Sequence, residues 1–184
     1  MRGMKNFLVL CIFFLLQCCI LPYSRQMKLE EPIAAKTKII IDTEHCEFTE
    51  AMGRGGVLEI FSGQVKRAIE SDLKDNVFPN AIERTKDDTI TIENPLVLPE
   101  TDVQLFVFVY IHKIHVNAWR GGSSRIELIM KSQDGTIIKK YDTTGESGMN
   151  LTILKGAMNA VGNAMEKIKK FINKDRNEIV QKLE

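Results

Sequence analysis

Hydrophobic and polar positions along this chain form two helical stripes. From Val57 onward apolar residues recur about every 3.6 positions, which predicts an amphipathic helix. This helix should end at Phe78, because the residue before Pro79 avoids the α-helical region. The second stripe has spacings of four and three residues in alternation: Leu154, Met158, Val161, Met165, Ile168 and Ile172. A neighbouring face of the second helix carries small residues that would let it approach a sheet closely: Gly156, Ala160 and Ala164.

Short apolar runs outside these stripes predict strands. A β-branched run at 38–42 predicts a first strand, whereas 44–56 has no period and predicts irregular chain. Two weaker strand candidates follow the first helix, at 81–85 and 89–92.

The clearest strand pattern is 103–119. It is apolar on both parities up to Ile111, which predicts that both faces of the strand are covered there. From His112 onward apolar and polar residues alternate, so one face should turn towards solvent.

Two more strand patterns, 125–130 and 136–141, complete an antiparallel meander with 103–119. Asp134-Gly135 separates them and is typical of a type I′ hairpin turn, in which both central residues adopt positive φ. A glycine-containing stretch, 145–148, should end the last strand. Helices combined with a mainly antiparallel sheet predict the α+β class: a two-layer sandwich with two amphipathic helices packed on one face.

No cofactor or metal site is predicted. His112 and His115 resemble a metal pair, but residues three apart on a regular strand point to opposite faces, so they could share an ion only across a bulge. Cys46 is expected to be a small buried hydrophobe. Trp119 with Arg120 is a candidate binding pair, because exposed Trp and Arg suit partner recognition. The alternative is a tryptophan that closes the end of the core.

Composition argues against a dedicated nucleic-acid binder. Once Arg2 and Lys5 are removed with the N-terminal segment described below, the chain has 23 basic and 24 acidic residues. It lacks the basic stripe that is typical of nucleic-acid-binding proteins. One basic cluster lies near the C-terminus: Lys167, Lys169, Lys170, Lys174 and Arg176. A solvated helix face explains such a cluster, and contact with anionic lipid headgroups is the alternative.

The N-terminus has the pattern of an export signal. Arg2 and Lys5 precede an apolar core at 7–16, which ends near Cys18 and Cys19. The apolar run is shorter than the ~20 residues that cross a ~30 Å hydrocarbon core, which disfavours a permanent transmembrane anchor.

Leu16-Gln17-Cys18-Cys19 resembles the signal of bacterial lipoproteins, whose cysteine receives lipid. Cys19 is favoured over Cys18, because Leu16 then lies three residues before it and a small residue directly before it. Ordinary cleavage further on, for instance after Ser24, would instead give a secreted soluble protein. The predicted organisation is a signal peptide at 1–18, a tether at 19–36 and a single α+β domain at 37–184.

The lipoprotein-type signal, the tether and the α+β sandwich together resemble small envelope lipoproteins of diderm bacteria, a group that includes lipopolysaccharide-assembly and transporter-auxiliary lipoproteins. The resemblance is one of architecture. It implies a non-enzymatic binding, adaptor or assembly module, held by its N-terminal lipid at the outer membrane or periplasmic face and working with a protein partner.

Two alternatives differ from this adaptor hypothesis in what the folded domain should contain. A periplasmic carrier of lipid or another hydrophobic ligand would need an apolar cavity between helix and sheet. An envelope enzyme would need a cleft that gathers His45, Cys46 and an acid. Oligomeric state stays open.

Overall fold

The computed structural model describes residues 27–50, 57–82, 102–117, 121–150 and 152–184. In chain order the elements are β1 (Thr37–Asp42), β2 (Glu47–Glu50), α1 (Val57–Asn76), β3 (Leu105–Asn117), β4 (Gly121–Ser132), β5 (Ile137–Ser147) and α2 (Ile153–Gln181). The predicted signal, the strand candidate 89–92 and the pair Trp119 and Arg120 lie outside the described residues. No helix among the described residues is both long enough and apolar enough to span a bilayer.

The five strands form one sheet of order β1-β3-β4-β5, and β2 pairs with the same edge of β3 as β1 does. β1 and β2 run parallel to β3, whereas β3, β4 and β5 form an antiparallel meander. Both helices pack on one face, the inner face, and share a core with the inward side chains of the strands. The predicted α+β sandwich with a mostly antiparallel sheet is therefore confirmed.

Strand β3 lies at the centre of the sheet, as its sequence pattern predicted. Leu105, Val107 and Val109 belong to the inner core, while Phe106 and Phe108 belong to a second buried cluster on the opposite, outer face. Both faces are covered in this half, because the helices pack on the inner side chains while Val103 and Ile82 pack with the outer ones.

Strand β2 was missed because four residues carry too little periodicity to distinguish a strand from loop. Residues 47–50, predicted to be irregular, pair in register with β3 between Lys113 and Val116. In the weak candidate 81–85, the described part is an isolated bridge between Ala81 and Thr37.

The β4–β5 hairpin is confirmed, but its predicted type I′ turn is wrong. Ser132 N donates to the Thr136 carbonyl and Gly135 N donates to the Ser132 carbonyl, both at 3.0 Å, which makes a three-residue loop. Gly135 has φ +85° and occupies the bulge position of such a loop. Asp134 stabilises this longer turn by accepting hydrogen bonds from Thr136 N and Ser132 Oγ.

Small residues let α2 approach the sheet, as the sequence predicted. Three sheet hydroxyls donate to helix carbonyls on this stripe: Ser147 Oγ to Gly156 at 2.8 Å, Ser124 Oγ to Ala160 at 3.0 Å and Thr143 Oγ1 to Ala164 at 3.2 Å. A Cβ on Gly145 would lie 1.9 Å from the Ala160 oxygen. β5 therefore continues through Gly145 to Ser147, and this glycine serves close packing instead of ending the strand.

The two helices are joined by a buried ion pair. Lys169 Nζ of α2 lies 2.7 Å from Asp72 Oδ1 of α1, and both side chains are 2% exposed. Asn76 Nδ2 donates to the same oxygen at 2.8 Å. Lys169, predicted as part of a basic surface cluster, thus belongs to the interior.

The second half of the predicted tether belongs to the folded domain. Leu29 and Ile33 are buried in the inner core, and their backbone nitrogens donate to the carbonyls of Asn76 and Val77 at 3.2 and 2.9 Å. Glu31 forms an ion pair with Arg176 at 2.9 Å. Residues 30–32 between these apolar positions are Glu, Glu and Pro, so the segment has no hydrophobic period from which the contact could be predicted.

Candidate functional site on the outer face of the sheet

A β-bulge in β3 organises the outer face. The register with β4 shifts between Ile111 and Lys113, so His112 is an extra residue in the strand. Both His112 and Lys113 are exposed, and Ile114 then returns to the inner core. This bulge also places His115 on the outer face, so the prediction that the two histidines point to opposite faces is wrong.

Four polar side chains form one row across the outer face. The strand registers pair Asp42 with Tyr110, Tyr110 with Glu127, and Glu127 with Asp142. Each residue of the row comes from a different strand, and cross-strand neighbours of this kind interact directly. We call the row, together with the cations that contact it, the outer polar cluster.

Glu127 is the centre of the outer polar cluster. Its carboxylate lies 2.7 Å from His112 Nε2 and also forms an ion pair with Lys140 Nζ. Burial works to raise the pKa of Glu127, whose side chain is only 12% exposed, but the hydrogen bonds from Lys140 and His112 outweigh burial and lower the pKa. Glu127 is therefore ionised at neutral pH.

The outer carboxylates of the row have partners of their own. Arg125 Nη2 donates to Asp142 at 2.6 Å, and this hydrogen bond lowers the pKa of Asp142. His45 Nδ1 lies 2.9 Å from Asp42, which also accepts a bond from the Glu44 nitrogen at 2.8 Å. Asp142 is thus paired with Arg125, and Asp42 has hydrogen-bonding partners in His45 and the Glu44 backbone.

An aromatic column runs along β3 beside these charges. Phe108 and Tyr110 stack with ring centroids 6.5 Å apart, and Tyr110 stacks on His112 at 6.3 Å. Burial, followed by the charges of Asp42 and Glu127, raises the pKa of Tyr110, which keeps its hydroxyl protonated. The column connects the apolar half of the outer face to its charged half.

The proposed enzyme constellation of His45, Cys46 and an acid is only partly assembled. His45 contacts the acid Asp42, but Cys46 packs against the inner core on the other side of the sheet. Burial, with added repulsion from Asp42 and Glu47, raises the pKa of Cys46 to about 11. A thiol in this state carries little thiolate at neutral pH and is a poor nucleophile.

Metal ligands do not converge within the described part of the chain. No group of three or more His, Cys, Asp or Glu side chains there is arranged to hold a metal ion. Glu127, which contacts His112, also forms an ion pair with Lys140, and Asp42 contacts His45. The outer polar cluster is thus a set of hydrogen-bonded and ion-paired side chains on the sheet surface.

A groove lies at the hairpin end of the sheet, away from the outer polar cluster. Its volume is about 460 Å³, and five of its six lining residues are polar: Gln104, Ser132, Gln133, Asp134, Lys182 and Leu183. Trp119 and Arg120 fall outside the described residues, so their binding role stays a prediction, as does lipidation of Cys19 or Cys18. The alternation after His112 indicated a polar outer face, but the cluster itself depends on strand register and could not be found in the sequence.

No family model and no curated protein matches the chain. Among solved structures, it is similar to protein XCC0632 from Xanthomonas campestris, of family DUF330, with 7% identity, a TM-score of 0.45 and coverage of 82% of this chain and 90% of that one. It is also similar to PelC from Paraburkholderia phytofirmans, a dodecamer, with 3% identity, a TM-score of 0.39 and coverage of 77% and 93%. Lipoprotein GNA1162 from Neisseria meningitidis has 9% identity, a TM-score of 0.31 and coverage of 77% and 97%. Similarity at this level concerns the arrangement of helices and strands, and no function passes from these proteins to this chain.

Proposed function

We propose that this chain is a lipid-anchored lipoprotein of the bacterial envelope, whose folded domain acts as a non-enzymatic binding, adaptor or assembly module. The observation that carries the proposal is the cysteine pair Cys18-Cys19 directly after a basic start and a short apolar core. Acylation at either cysteine, with the further chain that lipoprotein processing adds, gives the two attachments that stable anchoring needs.

Close packing between α2 and the sheet favours an adaptor over a carrier. Carbonyls of the helix accept hydrogen bonds from sheet hydroxyls, and Gly145 leaves no room for even one added carbon. The surrounding apolar side chains are completely buried: Ile126, Leu128, Met130, Val161, Met165 and Ile168. A lipid carrier would need a cavity of several hundred Å³ in this layer.

The chemistry of the outer face supports a binding role without catalysis. Glu127 and Asp142 are ionised and paired with cations, and Tyr110 is protonated, so these groups offer hydrogen bonds and charge to a partner. Trp119 and Arg120 follow β3 in the sequence and remain our candidates for the recognition pair. The partner would be another protein of the envelope.

Metabolic labelling with a fatty acid tests the anchor. We expect label on the wild-type protein and on Cys46→Ser, and no label on Cys18→Ser/Cys19→Ser, because only the N-terminal cysteines meet the processing machinery. The double variant should also leave the membrane fraction. Equal label in wild type and double variant would refute the assignment.

A further inference from the structure

The exposed side of α2 carries a basic and aromatic stripe that the adaptor role does not explain. Lys167, Lys170, Phe171 and Lys174 are separated by three, one and three residues, so they share one side of the helix. All four are exposed, and Phe171 has 46% of its surface in solvent although its ring stacks on Tyr141 at 6.1 Å. We call these four residues the α2 outer stripe.

The rest of the basic cluster is committed elsewhere, which makes the stripe a separate surface. Lys169 is buried against Asp72. Arg176 holds Glu31 at 2.9 Å, and it lies nine residues beyond Lys167, which is two and a half turns and hence the opposite side of the helix.

Within the stripe, two lysines contact other groups of the protein through their amines. Lys170 is 3.0 Å from Glu166, and Lys167 donates to the Thr144 carbonyl at 2.7 Å. Lys170 nevertheless keeps 60% of its side chain exposed, so its charge stays at the surface.

The start of the folded chain brings the stripe near the proposed anchor. The contact of Leu29 with Asn76 holds this segment at the end of α1, and the ion pair of Glu31 with Arg176 holds it against the side of α2 opposite the stripe. Met27 is eight residues beyond Cys19, so the chain between them spans at most about 29 Å when fully extended. A helix with its side chains is about 10–12 Å across, so the stripe lies within reach of the bilayer that would hold Cys19.

We propose that the α2 outer stripe contacts an anionic bilayer surface and orients the anchored domain on it. The lysines complement anionic headgroups, and an exposed phenylalanine among them can enter the interface, as in membrane-surface helices. The anchor keeps the bilayer at high effective concentration, so weak charge contacts suffice. The proposal rests on the lipid anchor proposed above.

The test uses the mature acylated protein, purified from membranes and checked for its acyl chains by intact mass. In a Trp119→Phe background, Phe171→Trp places a fluorescent probe in the stripe, and Met149→Trp places a matched probe at a side chain that is 75% exposed before the other end of α2. Each protein is reconstituted into phosphatidylcholine vesicles with or without phosphatidylglycerol, containing lipids with brominated acyl chains that quench tryptophan.

We expect quenching of the Phe171→Trp probe in the anionic vesicles, less quenching in zwitterionic vesicles or high salt, and little for the Met149→Trp probe. Adding Lys170→Gln/Lys174→Gln should lower the ratio of docked to undocked domain roughly 25-fold, about fivefold per lysine. The matched pair Lys113→Gln/Lys155→Gln removes the same charge from other surfaces and should leave the quenching unchanged.

A footprint on the protein without substitutions gives a second measurement. Amine acylation read by mass spectrometry should show Lys170 and Lys174 protected in anionic vesicles relative to detergent, with Lys113 and Lys155 unprotected. If the protein is acylated but its stripe is neither quenched nor protected, the proposed membrane contact is wrong. The same holds if the lysine substitutions leave the quenching unchanged. Absence of acyl chains would instead contradict the proposed function.

Discussion

Asp72→Asn should destabilise the domain strongly, because it removes the negative partner of a buried lysine while keeping the side-chain shape. Lys169 and Asp72 are each 2% exposed at a separation of 2.7 Å. Removing one partner of such a pair costs about 3–5 kcal/mol. The amide oxygen can still accept from Lys169 and Asn76, so we expect a loss of about 3 kcal/mol, which lowers Tm by roughly 6–12 °C at this domain size.

Urea unfolding followed by circular dichroism measures the loss, and a double-mutant cycle isolates its cause. Asp72→Leu/Lys169→Met replaces both charges with apolar groups and should recover most of the stability, because a buried pair contributes little net free energy over hydrophobic isosteres. A loss below about 1 kcal/mol for Asp72→Asn, or a double variant as unstable as the sum of its single variants, would contradict this account of the helix interface.

Three further predictions follow from the packing and the charges. Gly145→Ala should cost about 3 kcal/mol, because its Cβ would meet the backbone of Ala160 and Ala164 at 1.9 and 2.5 Å; Gly148→Ala, with nothing within 4 Å, is the control and should be near neutral. The lowered pKa of Glu127 stabilises the fold above pH 4.5, and this stabilisation is lost as the pH falls through the pKa of Glu127 in the folded protein. The free energy of unfolding of Glu127→Gln, measured with urea, should therefore depend less on pH below 4.5 than that of the wild type. A Cys46 pKa raised from 9.0 to about 11 lowers the thiolate fraction at pH 8 roughly 100-fold, so iodoacetamide should modify Cys46 far more slowly in folded than in urea-unfolded protein; comparable rates would show that the thiol is not held in this state.

Long periodic patterns predicted the main helix and the central strand of the fold. The structure agrees with three of these predictions: the buried apolar side of α2, the small residues at 156, 160 and 164, and the burial of β3 on both faces. These features repeat over many residues, so a local rule suffices to read them. Their agreement with the structure is why the α+β class could be predicted.

Features that depend on a single residue, or on partners distant in the chain, could not be predicted from the sequence. The bulge at His112 changes which face every later residue of β3 occupies, yet it is visible only in the register with β4. β2 is held by its parallel pairing with β3, and the segment at 29–33 by helix ends distant in sequence. The outer polar cluster combines four strands, so only the tertiary fold assembles it.

The lysine cluster illustrates the same limit at the level of surface charge. In sequence, Lys169 and Lys170 are indistinguishable neighbours, but one lies in the interior against Asp72 and the other is exposed. Only the direction of each side chain around α2, relative to α1 and the sheet, separates the buried ion pair from the α2 outer stripe.

Mass spectrometry of the N-terminal peptide of the mature protein tests the central claim most directly. The account predicts a chain that begins at Cys19, or at Cys18, and carries acyl groups on that residue. A mature chain that begins beyond both cysteines, for instance after Ser24, or one whose N-terminal cysteine carries no lipid, would contradict it.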